Sequence, residues 1–225
     1  MCINDEVFSV EKNIEKLDIV QSLDWRYATK KFDSAKKVSD ADLRVILESA
    51  RLAPSSFGLQ PWKFVVVNDP LLRESMKSAS YGQAQVTDAS HIVVVCVRTD
   101  VDEKYVCKYI EKLAKVRRLT LEQLKGFEDM LLGFLKAMPN TQTVIDWSSR
   151  QVYIALGFML ETAALKHIDA CPMEGFDSLQ VDEVLGLKKQ NLHALAFLTL
   201  GYRLDDPDAL NAKVRFDKEE VIVWK

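Results

Sequence analysis

The chain has 225 residues, of which 48% are hydrophobic and 28% are charged, and its formal net charge is −3 at pH 7. A chain of this length can bury a sizeable core, which favours a single globular domain. The slightly acidic balance gives no general attraction for nucleic acid, and no run reaches the roughly 20 apolar residues that cross a bilayer. We therefore expect neither a nucleic-acid partner nor a membrane.

The cysteines and the first sixteen residues bear on the compartment. Four cysteines show no paired spacing, which is typical of a reduced protein. The first sixteen residues place acidic side chains among apolar ones, unlike the basic start and apolar centre of a signal peptide. The sequence therefore predicts a cytoplasmic protein.

The first predicted elements are a helix over 17–23 and an extended stretch over 26–30. Alternate side chains of an extended chain share a face, so Arg26, Ala28 and Lys30 lie on one side. Two cations then point to the same place. This pair alone is typical of a solvated basic face, and an anion site is the alternative.

The turn that begins at Pro54 is the most informative local feature. Ser39–Asp42 resembles a capping box with Asp in place of Glu, and it predicts the start of the helix that leads to this turn. Gly58 lets another backbone or a ligand come close, while Ser55 and Ser56 supply hydroxyl groups. The turn predicts a loop that holds a polar ligand, and a capped helix end followed by an ordinary turn is the alternative.

Two continuous apolar runs predict strands at 64–67 and 92–97, joined by a helix over 71–79. Strands of this kind indicate a sheet that is covered on both faces. Between 100 and 140 the composition changes to two highly charged helical segments with one apolar stripe each. We expect this insertion to protrude or to cover another part of the molecule.

The segment 146–166 is apolar on almost every side, and Gly157 would let another backbone approach it. A domain this small can hardly bury such a helix alone, which favours packing against a second copy of the chain. A core helix within a monomer is the alternative. After it, we predict a turn over 170–176, a strand over 194–200 and a tail that ends in a short strand at 221–224.

Several common site motifs are absent from the sequence. With eight glycines the chain has no GxGxxG or Walker loop, so any phosphate must be held by side chains. Lys213 and Arg215 alternate near the C-terminus as Arg26 and Lys30 do near the start. The three histidines lack metal-ligand spacing and no nucleophile motif is present, so neither a metal site nor a nucleophilic triad is predicted.

Five short motifs together resemble the nitroreductase family. They are Arg26–Asp33, Pro54–Ser56 with Gln60–Trp62, Asp88–His91, Pro172–Phe176 and Lys213–Arg215. Their order and spacing match from Leu17 almost to the C-terminus. The resemblance therefore implies a single domain over 17–225 with a protruding helical insertion at 100–140, preceded by an extension over 1–16.

The resemblance implies an α+β fold of three α/β/α layers around a mixed, mainly antiparallel sheet. It implies an intertwined homodimer with exchanged C-terminal tails and one FMN at each of two sites built from both chains. Hydride from NADH or NADPH would pass through flavin N5 to an electron-poor acceptor (a nitroaromatic, quinone, pteridine or flavin) in a ping-pong cycle. No catalytic side chain is assigned, because the flavin carries the reaction.

The cofactor-binding residues that the resemblance implies form four groups. Arg26, Lys213 and Arg215 would hold the phosphate, with Lys30 near the pyrimidine edge of the flavin. The Pro54 loop and a glutamine on the buried helix would come from the other chain, and the Glu174–Gly175 backbone would meet flavin N5. The full set is Arg26, Ala28, Lys30, Pro54, Ser55, Ser56, Gly58, Gly82, Gln85, Gln151, Pro172, Met173, Glu174, Gly175, Lys213 and Arg215.

Three of these positions depart from the commoner family pattern. Ala28 stands where a serine is frequent, Gly82 where an asparagine is frequent, and Gly58 where a polar residue is common. The basic side chains could compensate for a lost phosphate contact at Ala28. Gln85 could donate to the pyrimidine edge, with a surface loop amide as its alternative.

The acceptor pocket and the activity itself each have an alternative. Phe127 and Phe134 in the insertion are candidate lid aromatics, and packing on a helical stripe is the other explanation for both. An FMN carrier without significant turnover is the alternative to an oxidoreductase, because the side chains missing at Ala28, Gly58 and Gly82 would suit a loosened site. A structural dimer with an empty cleft is the third possibility.

Overall fold

The computed structural model describes residues 19–225, so the predicted extension over 1–16 and the start of the first helix lie outside the described residues. The helices are α1 Ile19–Trp25, α2 Asp40–Leu52, α3 Pro70–Ala79, α4 Gln85–Asp88, α5 Glu103–Arg117, α6 Leu121–Lys136, α7 Thr141–Leu165, α8 Ser178–Val184 and α9 Lys218–Val221. The strands are β1 Trp62–Val66, β2 His91–Arg98, β3 Asp169–Met173 and β4 Leu192–Gly201.

The four strands form one sheet in the order β1-β2-β4-β3, and all neighbours pair antiparallel. The central pair β2–β4 runs from His91 opposite Leu200 to Arg98 opposite Leu192. One isolated parallel bridge joins Ala28 to β3. The extended stretch predicted after α1 therefore lies beside the β3 edge of the sheet, at the opposite side from β1.

Helices cover both faces of the sheet, as the continuous apolar runs predict. Ile92 and Val94 of β2 are buried against α3, α4 and α8. Val93 and Val95 point to the other face and are buried against α2 and α7. Alternation of side chains along one strand thus supplies two cores, and the three α/β/α layers are confirmed.

The segment over 100–140 forms the helical pair α5 and α6, which has a core of its own. Val106 and Ile110 of α5 pack against Leu124 and Leu131 of α6, and Leu59 joins them from the Pro54 loop. A capping box of Thr120 and Gln123 starts α6. The pair therefore touches the loop, and its description as a protruding insertion stays a prediction.

The turn predicted over 170–176 is wrong in its first half, where the chain forms β3. Pro172 lies opposite Leu198 within this strand. Proline has no N–H to donate, but it is accepted in an edge strand, and β3 is at the edge. Burial of Ala170, Cys171 and Met173 holds the strand against the two cores, so the turn begins only at Glu174.

The short strand predicted at 221–224 is also wrong for the single chain. The tail forms α9, which a capping box of Asp217 and Glu220 starts, and Ile222 onward belongs to no strand of the described residues. A strand needs a neighbour to pair with, and here the apolar tail extends outward, with Trp224 92% exposed. Residues 19–225 also contain no helix with the length and hydropathy needed to span a membrane.

Candidate functional site

A cavity of about 610 Å³ lies between the extended stretch after α1 and the C-terminal segment. Its lining includes Arg26, Ala28, Lys213 and Arg215, together with Arg203 from the end of β4. The structure therefore brings together three of the predicted phosphate-binding cations from opposite ends of the sequence. We call Arg26, Lys213 and Arg215 the cationic cradle.

The three positive charges of the cradle lie close together, and the charge of Asp24 offsets them only in part at Lys213. Burial and the nearby Arg215 lower the pKa of Arg26, while burial, Arg26 and Arg215 lower that of Lys213. The Nε atom of Arg26 is buried and has no hydrogen-bond partner among the described residues. Lys213 Nζ donates to the backbone oxygens of Leu23, at 3.0 Å, and Arg26.

An anion with several acceptor oxygens would satisfy this arrangement. It would accept from the unpaired Arg26 Nε and would relieve the repulsion among three cations. A phosphate monoester has several acceptor oxygens and carries negative charge. The donor set therefore fits a phosphate group.

Arg203 holds the stretch that carries Arg26. Its guanidinium lies between the rings of Trp25 and Tyr27, 4.4 Å and 4.6 Å from their centroids. Arg203 Nε donates to Asp169 Oδ1 at 2.7 Å, and the Thr29 hydroxyl donates to the same oxygen at 3.3 Å. Sequence analysis missed Arg203 and Asp169; the only local signal was the pair of aromatic residues on either side of Arg26.

The Pro54 loop adopts an unusual backbone conformation. Phe57, Gly58 and Gln60 have φ angles of 56°, 75° and 49°. Within the loop, Ser55 Oγ accepts from the Gln60 amide at 2.9 Å, and the Ser55 carbonyl accepts from the Gly58 amide at 2.8 Å. The sequence left an ordinary turn as the alternative for this loop. Three residues with left-handed backbone among the four positions 57–60 do not favour that alternative.

Gln151 and the Pro54 loop form one unit within the same chain. Gln151 is buried on α7, and its Oε1 accepts from the Ser56 amide at 2.9 Å. Pro54 precedes this contact and is exposed. The loop leads into β1, whereas Arg26 and Ala28 lie beside β3. Four inter-strand spacings, about 19 Å, separate the cradle side of the sheet from the loop side.

A third group forms where the turn before α4 meets the turn after β3. Gln83 Nε2 donates to the Gly175 carbonyl at 2.7 Å and to the Ser80 carbonyl at 3.1 Å. Gly82 has a φ of 74°, so glycine there is explained by the backbone. This bridge brings the turn that contains Gly82 close to Gly175, and the cofactor role of both stays a prediction. Gln83, which makes the contact, was not predicted.

The remaining predicted site residues lie close to this third group. Gln85 is buried at the start of α4, and Lys30 is exposed. Burial raises the pKa of the Cys171 thiol, and the positive charges of Lys30 and Arg26, which lie near it, oppose that rise. Pro172 and Met173 end β3, which places them directly before Glu174. The third group is therefore adjacent to the cradle side of the sheet.

Glu174 is linked to α7 by a tyrosine. The Tyr153 hydroxyl donates to Glu174 Oε1 at 2.8 Å, and burial together with this bond raises the pKa of Tyr153 to about 12. Tyr153 lies on the outer face of α7, next to Ile154 and Phe158, which are 40% and 39% exposed. This apolar face has no covering element in the part of the chain that is described.

The two candidate lid aromatics lie on α6 and pack against neighbouring elements. Phe127 is half-buried in the α5–α6 core. Phe134 makes edge contacts with Phe57 of the loop, at 5.0 Å between ring centroids, and with Trp147, at 5.3 Å. These contacts agree with the packing alternative, and a role in an acceptor pocket stays a prediction. No group of three or more potential metal ligands occurs among residues 19–225.

Comparison with known proteins gives similarity over most of the chain. The model of the nitroreductase family matches residues 23–202. A protein of Bacillus subtilis provisionally named NAD(P)H nitroreductase YfkO is 38% identical over 219 residues, covering 93% of this chain and 98% of that protein. A Staphylococcus aureus protein with the same kind of name is 41% identical over 213 residues, covering 92% and 95%.

Solved structures give the same fold. A Bacillus subtilis protein described as a nitroreductase, ydfN, has a TM-score of 0.81 at 23% identity and covers 92% of this chain and 98% of its own. A protein of Exiguobacterium sibiricum, solved in complex with FMN, has a TM-score of 0.78 at 22% identity and covers 92% and 97%. At these identities the likeness concerns the fold.

Proposed function

The chain belongs to the nitroreductase family, and from this we propose that it is an FMN-dependent oxidoreductase that uses NADH or NADPH to reduce an electron-poor small molecule. Relatives at about 40% identity are named as NAD(P)H nitroreductases, and a protein of the same fold is described as bound to FMN. The observation in this chain that supports the proposal best is the cationic cradle, with its unpaired Arg26 Nε.

FMN fits this donor set through its phosphate. Arg26 and Arg215 offer planar guanidinium groups suited to phosphate oxygens, and Lys213 adds a third charge. The cradle replaces the glycine-rich phosphate loop that the sequence lacks. Arg203 would keep Arg26 in position through its contacts with Trp25 and Asp169.

The proposed site is shared between two chains of a homodimer. The cradle and the Pro54 loop lie on opposite edges of one sheet, which is explained if each loop serves the cradle of the partner. The exposed Ile154 and Phe158 on α7 offer an apolar surface for such a partner, and the apolar tail around Trp224 offers another. Pro54, Ser55, Ser56, Gly58 and Gln151 would then contact the flavin of the other chain.

A bound flavin would supply the two-electron chemistry, by hydride transfer from NADH or NADPH to the acceptor in a ping-pong cycle. The chain's own residues bind and orient. The backbone at Glu174–Gly175 would face N5, while Lys30 and Gln85 would lie at the pyrimidine edge, where a cation stabilises negative charge. Nitroaromatics, quinones, pteridines and flavins are the proposed acceptors.

The structure gives a backbone reason for two of the glycines that had suggested an FMN carrier. Gly58 and Gly82 have φ angles of 75° and 74°, which favour glycine whatever the ligand. The Tyr109 hydroxyl, moreover, fills the space in which a side chain at Gly58 would begin. Two of the three positions that suggested a loosened site are therefore explained without one, which favours the oxidoreductase.

The visible spectrum of the FMN-supplemented, desalted protein under anaerobic conditions tests the proposal. We expect retained yellow colour that bleaches on addition of NADH or NADPH and returns on addition of a quinone or nitroaromatic. Colour that persists with both donors would support the carrier instead. A colourless protein would contradict FMN binding altogether.

A further inference from the structure

Two tyrosine hydroxyls of α5 hold the backbone of the Pro54 loop. We propose that Tyr105 and Tyr109 are positioning residues that fix this loop in the form that contacts the flavin. The inference rests on the proposed function, because it deepens the role of the loop in the FMN site. Neither tyrosine is expected to touch the reacting atoms.

The contacts are directed at carbonyl groups of the loop. The Tyr109 hydroxyl donates to the Phe57 carbonyl at 2.9 Å. The Tyr105 hydroxyl lies 2.8 Å from the Leu59 carbonyl oxygen and 2.9 Å from that of Gln60. The two tyrosines are four residues apart on α5, so they share one face of the helix. That face therefore places hydroxyl groups within hydrogen-bond distance of three of the four carbonyl oxygens between 57 and 60, and the single Tyr105 proton is shared between two of them.

The loop needs such support because of its backbone. Phe57 and Gln60 have positive φ angles although they are not glycine, a conformation that L-residues rarely adopt. Residues of this kind persist when the surrounding structure fixes them. Gln151 fixes the loop at the Ser56 amide, and the tyrosines fix it from Phe57 onward.

Gly58 and Tyr109 are coupled by contact. A Cβ atom on Gly58 would lie 2.6 Å from the Tyr109 hydroxyl oxygen but 3.5 Å from the ring carbon that bears it. A side chain at position 58 therefore meets the hydroxyl and not the ring. Removing the hydroxyl would free the space as well as the hydrogen bond.

This arrangement links the helical pair to the cofactor site. Phe134 of α6 also contacts the loop, through the ring of Phe57. A displacement of α5 would move three loop carbonyls with it, and with them Ser55 and Ser56. The helical pair thus acts on flavin binding through the loop.

The test measures FMN affinity by quenching of flavin fluorescence in Tyr105→Phe, Tyr109→Phe and the double variant. Each substitution keeps the ring and removes one hydroxyl. We expect FMN affinity to fall about 3- to 10-fold for each single variant, the range for loss of a hydrogen bond, and further for the double variant. Val116→Ala, an exposed change on the same helix, should bind FMN as the wild type does.

A second set of variants separates positioning from a general loss of stability. We expect Gly58→Ala to weaken FMN binding strongly in the wild type and several-fold less in the Tyr109→Phe background, because the hydroxyl that the new Cβ would meet is gone. Independent, additive losses would contradict the coupling. Unchanged FMN affinity in both tyrosine variants would overturn the inference alone, whereas a wild type that binds no FMN would overturn the proposed function.

Discussion

At the scale of single residues, the cradle is destabilising in the free protein and favourable in the loaded one. Arg26 and Lys213 both have lowered pKa values, to which burial contributes most and the charge of Arg215 contributes further. Bringing like charges together lowers the free energy of unfolding, and a bound phosphate would offset this loss. Binding and stability should therefore respond in opposite directions when one cation is removed.

Arg215→Gln tests this opposition. We expect FMN affinity to fall by about 1.5–3 kcal/mol, because a charge-assisted contact to phosphate is lost. The free energy of unfolding of the FMN-free variant should not fall, because the pKa values of Arg26 and Lys213 return toward their ordinary range. Fluorescence quenching and urea unfolding measure the two quantities. Lys189→Gln, an exposed cation elsewhere, serves as the control, and unchanged FMN affinity in Arg215→Gln would mean that the tail is wrongly assigned.

The lowered pKa of Lys213 also predicts a pH dependence. In the FMN-free protein, between the lowered pKa of Lys213 and its ordinary pKa of 10.5, the folded state binds fewer protons at Lys213 than the unfolded state does. The destabilisation that charged Lys213 causes is therefore relieved as the pH rises toward 10.5. FMN binding needs the charged amine, so FMN affinity should fall over the same range. Affinity measured against pH should fall less steeply in Lys213→Met. Parallel curves would contradict the role of Lys213.

Alternation in short extended segments indicated two pairs of cations, but only the resemblance to the family implied that Arg26, Lys213 and Arg215 share one site. Arg203 and Asp169 could not be predicted, because their pairing joins distant segments and neither stands in a recognisable motif. At Gly58, where a polar residue is common in the family, the positive φ and the nearby Tyr109 hydroxyl would strain a side chain. Sequence periodicity indicates which residues share a face, but not what lies opposite that face.

At the scale of elements, the extended stretch after α1 depends on its attachment to β3. The Ala28–Ala170 bridge is isolated, Arg203 pairs with Asp169, and the Tyr27 hydroxyl and the Lys30 amide donate to Asp206. Asp169 is 4% exposed, so its charge relies on Arg203 for compensation. An element with so few backbone pairs should be sensitive to the loss of one partner of this buried ion pair.

Arg203→Met is therefore expected to lower the free energy of unfolding by about 3–5 kcal/mol, because it leaves a buried carboxylate unpaired. Lys125→Met removes an exposed cation from its pairs with Glu128 and Asp129 and should cost less than about 1 kcal/mol. Urea unfolding of both variants makes the comparison. Equal, small effects would show that the Arg203 pair does not hold the stretch.

Most helices and strands could be predicted from local patterns. The two errors, the turn over 170–176 and the strand at 221–224, have physical causes. Ser39 caps α2 by accepting from the Asp42 amide, but the Asp42 carboxylate accepts from the Ser39 hydroxyl instead of completing the box. The strand β3 was not predicted because Pro172 lies within it, and proline is accepted in a strand at the edge of a sheet. The tail was predicted as a strand although the single chain has no neighbour for it.

At the scale of the whole molecule, the family and the three-layer fold were predictable because five motifs keep their order along the chain. The second copy was inferred from α7, and the structure indeed leaves Ile154 and Phe158 exposed on that helix. The dimer stays a proposal. It explains why the cradle and the Pro54 loop lie at opposite edges of one sheet.

The most direct test of this account is the flavin content of mixed dimers, purified with two different tags after co-expression. One chain carries Arg215→Glu in the cradle and the other carries Ser56→Glu in the loop. If each site combines the cradle of one chain with the loop of its partner, a mixed dimer has one intact site. We predict about half of the wild-type FMN per chain, bleached by NADH or NADPH, while either variant alone stays colourless. Mixed dimers without flavin would contradict the shared site.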